Sequence, residues 1–273
     1  LGGWSGGGSL SLFYQSQAEN PSITETPAGD PIDLISQNFV PADGLMLIAA
    51  HESRHRTFTE WIDGSVRDEE NPENRDKDLD IYNKDNPNQP EYSDDFIKTY
   101  RASQIQRNRK ITSWVQQKLE DYKNLGEKNR EFGFVVHRTM ADPKWLDTTI
   151  DPNGRRPNWC FLGEPEIVNN SPIGLGRYCS LRSWLSQWSY DLAQGDGLTC
   201  AKNISIPSLV IGNSDDDGIT PSHTKNLYDS IGHENKYLEW IEGANHYYFG
   251  QPEKSHESAT VCRNWLERMR LIS

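Results

Sequence analysis

Three short stretches, far apart in the chain, carry residue types that together could do nucleophilic chemistry. They are Gly3-Trp4-Ser5-Gly6-Gly7, the acidic run Asn213 to Gly218, and Glu242-Gly243-Ala244-Asn245-His246. A serine hydroxyl is a weak nucleophile until a neighbouring base takes its proton. An imidazole serves as that base when a carboxylate fixes its tautomer and stabilises its charged form. G-x-S-x-G is the pattern of a nucleophile elbow, a sharp strand-to-helix turn that exposes the serine hydroxyl. The same opening glycines also fit a flexible linker. Leu10, Leu12, Phe13 and Tyr14 then continue as a helix with its own apolar face, which a linker would not do.

Two other motifs compete for chemistry. His51-Glu52-Ser53-Arg54-His55 is a literal H-E-x-x-H, which on a helix sets two imidazoles on one face for zinc with the glutamate as base, as in a zinc metallopeptidase. Against it, the preceding run Leu45 to Ala50 is too short and uniform for an amphipathic helix, and no third ligand lies nearby. If that run is a strand, His51 stands at its carboxyl end, as a pocket or hinge residue. Asn213, Asp215, Asp217 and Gly218 match the start of a calcium loop, but Thr224 occupies the position that needs a bidentate glutamate. The four cysteines, Cys160, Cys179, Cys200 and Cys262, are widely spread and read as free thiols.

The elements that must position these residues follow from the hydrophobic pattern. Gly44 to Ala50 and Ile206 to Gly212 are short apolar runs of the kind buried in a parallel sheet, and Lys236 to Ile241 reads as a third strand. Helices are expected from Leu10 to about Glu19, from Phe96 to Tyr122 with one break, over Ser180 to Tyr190, over Pro221 to Ile231 opened by Ser222, and over Ser258 to Leu271. Residues 66 to 95 are rich in Asp, Glu, Asn and Pro and read as a long loop. Strands alternating with helices at both ends of the chain give an α/β fold, and residues 52–203 read as an insertion into it.

The formal net charge of the 273 residues is -12, which repels phosphate and argues against nucleic-acid or anionic-membrane partners. No apolar run approaches the roughly 20 residues of a membrane helix. A neutral or cationic small molecule is the expected partner, and the cytoplasm the expected location.

With these residues in hand, the sequence resembles the α/β-hydrolase family. The resemblance rests on G-W-S-G-G at 3–7, I-P-S-L-V-I-G-N-S-D-D-D-G-I-T-P at 206–221 and E-G-A-N-H at 242–246, in the order serine, acid, histidine. It covers about the first 50 and last 70 residues. It implies Ser5 as nucleophile, His246 as general base and then acid, and the Gly6 N–H as an oxyanion donor at a helix N-terminus. Gly3 and Gly7 would keep side chains out of the sharp turn. Asp217 is the preferred acid because G-I-T-P follows it, with Asp215 and Asp216 as alternatives. Trp4, His51 and Tyr247 are candidate pocket residues. Trp4 is expected against the sheet, and Tyr247 either on the pocket wall or under the last helix.

The implied organisation is hydrolase core at 1–51, a mainly helical cap at 52–203, and core again at 204–273. The implied activity is a serine hydrolase cleaving an ester or related acyl bond without a cofactor, carbon-carbon bond hydrolysis being open to the same triad. A zinc metallopeptidase and a non-catalytic interaction protein on a hydrolase scaffold are the alternatives. In the family several strands precede the elbow, so a preceding segment or a second chain is expected to complete the sheet.

Overall fold

A computed structural model describes residues 1–272. Four parallel strands form its main sheet in the order β1-β2-β5-β6: β1 (Gly2–Trp4), β2 (Leu45–Ile48), β5 (Ser208–Asn213) and β6 (Lys236–Ile241). The period-two alternation of a strand sorts their side chains to two faces. Leu45, Leu47 and Val210 join Leu12, Leu227 and Ile231 on one face, under helices α1 (Gly6–Glu19), α6 (Gly197–Ala201) and α7 (Pro221–Ser230). Leu209, Ile211 and Ile241 join Tyr248 and Trp265 on the other, under α8 (Pro252–Arg268). The α/β class expected from the sequence is therefore observed.

Between β2 and β5 the chain builds α2 (Arg54–Trp61), α3 (Asp94–Asn124), β3 (Gly133–Val135), α4 (Pro165–Asn170), β4 (Tyr178–Ser180) and α5 (Leu181–Gln187). Its own core packs Ile111 and Val115 of α3 against Phe58, Trp184, Leu185 and Trp188. Trp61, Trp145 and Trp184 are fully buried, so these tryptophans fill cores.

Several expectations change. The break expected in the long helix is absent, and α3 runs unbroken for 31 residues. Ser93 caps its N-terminus by accepting the Phe96 N–H, and Asp94 and Asp95 in the first turn and Lys123 in the last complement its dipole. Thr220, not Ser222, stands at the N-cap of α7, with Pro221 as its first residue. The last helix begins at Pro252, six residues before Ser258, for the same reason. The antiparallel pair β3-β4 and the helix α2 were not foreseen. Cys160, Cys179 and Cys200 are buried free thiols, while Cys262 is only partly covered. Among the described residues no helix is long and apolar enough to cross a membrane.

Candidate active site

Ser5 stands between β1 and α1 with φ 51° and ψ −126°, a backbone conformation a side-chain-bearing residue adopts only under constraint. Such strain costs about 1–3 kcal/mol and persists where surrounding structure over-determines it. Here the constraint is visible. The Ser5 N–H donates to the Ile48 carbonyl at 3.1 Å, and the Ser5 carbonyl accepts the Gly8 and His51 N–H groups, each at 3.0 Å. The turn is thus tied to the end of β2 on one side and to its own helix on the other.

The glycines explain why the turn can close. A Cβ on Gly3 would lie 2.5 Å from the Gly7 carbonyl oxygen, so only glycine fits there. Gly7 itself differs from the expectation, since a Cβ there meets no atom within 4 Å. The second obligatory glycine is Gly8, where a Cβ would fall 2.3 Å from the Ala50 Cβ and force helix and strand apart.

His246 follows β6 and Asp216 follows β5, so both reach the carboxyl end of the parallel sheet, as Ser5 does after β1. The His246 Nε2 lies 3.0 Å from the Ser5 Oγ, and its Nδ1 lies 3.0 Å from the Asp216 Oδ2. His246 and Asp216 are both buried. Burial alone would lower the His246 pKa, but the Asp216 charge and hydrogen bond, with Asp217 adding, raise it above the usual histidine value.

The carboxylate on the imidazole is therefore Asp216 and not the expected Asp217. The reason is local. The Asp216 Oδ1 accepts the Gly218 and Ile219 N–H groups at 2.7 and 2.6 Å, which turns its other oxygen toward the ring. Asp217 points elsewhere, its Oδ1 reaching only the His246 backbone N–H at 3.4 Å. Burial and the Asp216 charge raise its pKa. Asp215, the third alternative, accepts the Ser214 hydroxyl. The middle segment braces this loop, since Trp145 Nε1–H donates to the Asp217 carbonyl and Asn153 to the Asp216 carbonyl, both at 2.9 Å. No sequence signal marked Trp145 or Asn153 for that task.

Gly6 is the first residue of α1, so its N–H has no intrahelical acceptor and lies beside the serine at the positive end of the helix. The Arg54 guanidinium rests over it, donating from Nε to the Gly6 carbonyl at 3.2 Å. A cavity of about 390 Å³, walled by Trp159, Phe161, Leu162, Tyr247 and Phe249, adjoins the site through Tyr247, the chain neighbour of His246, and is lined by none of Ser5, Asp216 or His246 themselves. Tyr247 thus lies on this wall, its ring centroid 4.5 Å from that of His246. Trp4 differs from expectation: it is 38% exposed and packs edge-on against Tyr248. A larger cavity of about 430 Å³ between α3 and β3 likewise touches none of the three and lies away from them.

The H-E-x-x-H residues do not share a helix face, because α2 begins at Arg54, inside the motif. His51 faces Ser5, with its Nε2 3.0 Å from Oγ, whereas His55 faces Asp196 at 3.5 Å and Glu52 accepts from Asn226. Among the described residues no group of three or more His, Cys, Asp or Glu side chains is placed to hold a metal ion.

No family model matches the chain, and no curated protein does. Among solved structures it is similar to a monoacylglycerol lipase from Paleococcus ferrophilus, at 13% identity and TM-score 0.40, over 98% of this chain and 68% of that one. It is similar to VinJ at 15% identity and TM-score 0.37, over 98% and 65%. MenH from S. aureus matches at 12% identity and TM-score 0.39, over 99% and 68%. The chain spans about two thirds of the length of these proteins. Its own topology, with a strained serine after β1, an aspartate loop after β5 and a histidine loop after β6 at the carboxyl end of a parallel sheet, is that of an α/β-hydrolase fold.

Proposed function

We propose that this protein is a serine hydrolase that cleaves an ester or related acyl bond of a small organic substrate through an acyl-enzyme. The observation that carries the reading is the unbroken chain from Asp216 Oδ2 through His246 to Ser5 Oγ, with both hydrogen bonds at 3.0 Å. In this reading Ser5 attacks the acyl carbon while its proton passes to the His246 Nε2. Asp216 holds the imidazole in the tautomer that can accept that proton and stabilises the imidazolium. The negative charge that develops on the carbonyl oxygen is met by the Gly6 N–H and the helix end behind it. His246 then returns the proton to the leaving group, and water attacks the acyl-enzyme by the same route.

Residues 52–203 act as the cap. The wall of Trp159, Phe161, Leu162, Tyr247 and Phe249 supports an apolar acyl or alcohol portion of the substrate. Ser5→Ala is expected to abolish turnover of a chromogenic short-chain ester and labelling by a fluorophosphonate. Undiminished labelling of that variant would rule the mechanism out, and a wild-type protein that takes no label would instead be a non-catalytic scaffold.

A further inference from the structure

The Ser5 hydroxyl touches two imidazoles. Besides His246, the His51 Nε2 lies 3.0 Å from the same Oγ. His51 is brought there by the backbone at the end of β2, where Ala49 turns the chain with φ 43° and the His51 N–H bonds to the Ser5 carbonyl. Its ring is buried, edge-on to Trp61 at 5.6 Å, and its Nδ1 has no partner among the described residues.

Proton counting assigns each nitrogen its role. The Asp216 carboxylate accepts from two backbone N–H groups and from the His246 Nδ1, so that nitrogen carries a hydrogen. The His246 Nε2 then has a lone pair, and the single Ser5 hydrogen goes to it. What remains on Oγ is acceptor capacity, and at 3.0 Å the His51 ring can meet it only as the Nε2–H tautomer. Burial, and next the neighbouring His246, His223, Arg54 and Lys144, hold the His51 pKa well below the usual histidine value, so the ring is a neutral donor.

We infer that His51 is a catalytic residue of the proposed hydrolase, a neutral side-chain donor that joins the Gly6 N–H in stabilising the tetrahedral intermediate. This rests on the function proposed above. As the Ser5 Oγ–carbon bond forms, the carbonyl π pair moves onto the carbonyl oxygen and the Ser5 proton goes to His246. The Oγ and the new oxyanion are then bonded to one carbon, so an N–H at hydrogen-bond distance from Oγ needs only a small shift to meet the oxyanion. Collapse breaks the bond to the leaving group, which takes its proton from His246. His51 keeps its own hydrogen throughout.

Two variants and one spectrum test this. His51→Leu, which removes the donor, is expected to lower kcat about 10²- to 10³-fold with KM nearly unchanged, and to slow fluorophosphonate labelling in parallel. His51→Gln, whose amide keeps an N–H, is expected to recover at least about tenfold of that loss. In both, the acid limb of the pH profile, set by His246, stays in place. Nitrogen NMR of histidine-labelled wild type is expected to show His51 as the Nε2–H tautomer, without titration between about pH 5 and 8.

The inference is overturned if His51→Leu keeps kcat within about threefold of wild type, or if the spectrum shows the Nδ1–H tautomer. Loss of the acid limb on substitution would overturn it as well, by making His51 the base. If wild-type Ser5 takes no fluorophosphonate label, the proposed function falls first and this inference with it. If wild type labels and His51→Leu labels equally fast, only this inference falls.

Discussion

Asp216→Asn and Asp217→Asn change neighbouring, nearly isosteric residues, yet the structure demands opposite outcomes. An asparagine at 216 must choose which end faces the ring. Its oxygen is claimed by the Gly218 and Ile219 N–H groups at 2.7 and 2.6 Å, because turning the amide nitrogen toward them would oppose donors to donors in a buried site. Each such clash costs about 1–3 kcal/mol. The amide N–H₂ therefore points at the His246 Nδ1 and forces that nitrogen to become an acceptor. The hydrogen moves to Nε2, which can then no longer take the Ser5 proton. The expected loss in kcat is about ten-thousandfold. That equals about 5.5 kcal/mol of transition-state stabilisation, at about 1.36 kcal/mol per tenfold. Asparagine at 217 keeps an oxygen for the one long contact at 3.4 Å and removes only a charge that helps raise His246. Its kcat should stay within about threefold, since only differential transition-state interactions change the chemical step. Because His246 must be neutral to act, kcat/KM rises as pH climbs through its raised pKa. Losing the Asp217 charge lowers that pKa, so this acid limb moves to lower pH. Turnover of a chromogenic ester across pH, with fluorophosphonate labelling as a second measure, decides the matter. Equal damage from both substitutions, or more than a tenth of activity left in Asp216→Asn, would refute the assignment.

The elbow glycines separate by stability: Gly7→Ala fills empty space within a helix and should stabilise by about 0.5–1 kcal/mol, whereas Gly8→Ala drives a Cβ to 2.3 Å from Ala50. Overpacking of that kind costs about 1–3 kcal/mol, and urea unfolding of the two variants reads the difference directly. In the middle segment, Arg138 is buried against Asp63 at 2.6 Å and Asp80 at 3.4 Å, so Arg138→Met leaves two buried carboxylates without that cation. A loss of about 3–5 kcal/mol is expected, and a variant within 1 kcal/mol of wild type, roughly the error of such comparisons, would contradict it. Burial would raise the Asp63 pKa, but Arg138 and the Ser65 hydrogen bonds hold it below the usual carboxylate value. Its stabilising contribution is present above the unfolded pKa and is lost as pH falls through the lowered native one, so acid unfolding of Arg138→Met should begin at higher pH than in wild type.

What could be read from the sequence was whatever depends on a pattern along the chain. The apolar centres of β2 and β5 announce themselves because a strand buried in a parallel sheet needs successive apolar residues. His246 could be placed because it follows a strand, at the carboxyl end of the sheet, and Ser5 because a G-x-S-x-G pattern runs straight into a helix with an apolar face. The choice among three consecutive aspartates could not be read this way. One residue of shift in a turn reverses where a carboxylate points, and the direction is set by the Gly218 and Ile219 N–H groups, with bracing from Trp145 and Asn153, contributed from more than sixty residues upstream. His51 could be read as a candidate pocket residue, but its contact with the Ser5 hydroxyl could not, for a related reason. Its sequence neighbours spell a metal motif that presumes a helix, whereas the turn at Ala49 and the start of α2 at Arg54 split the two histidines toward different partners. The same turn that dissolves the metal reading carries the imidazole to the nucleophile. A motif whose meaning depends on one backbone conformation takes on a different meaning when the chain adopts another.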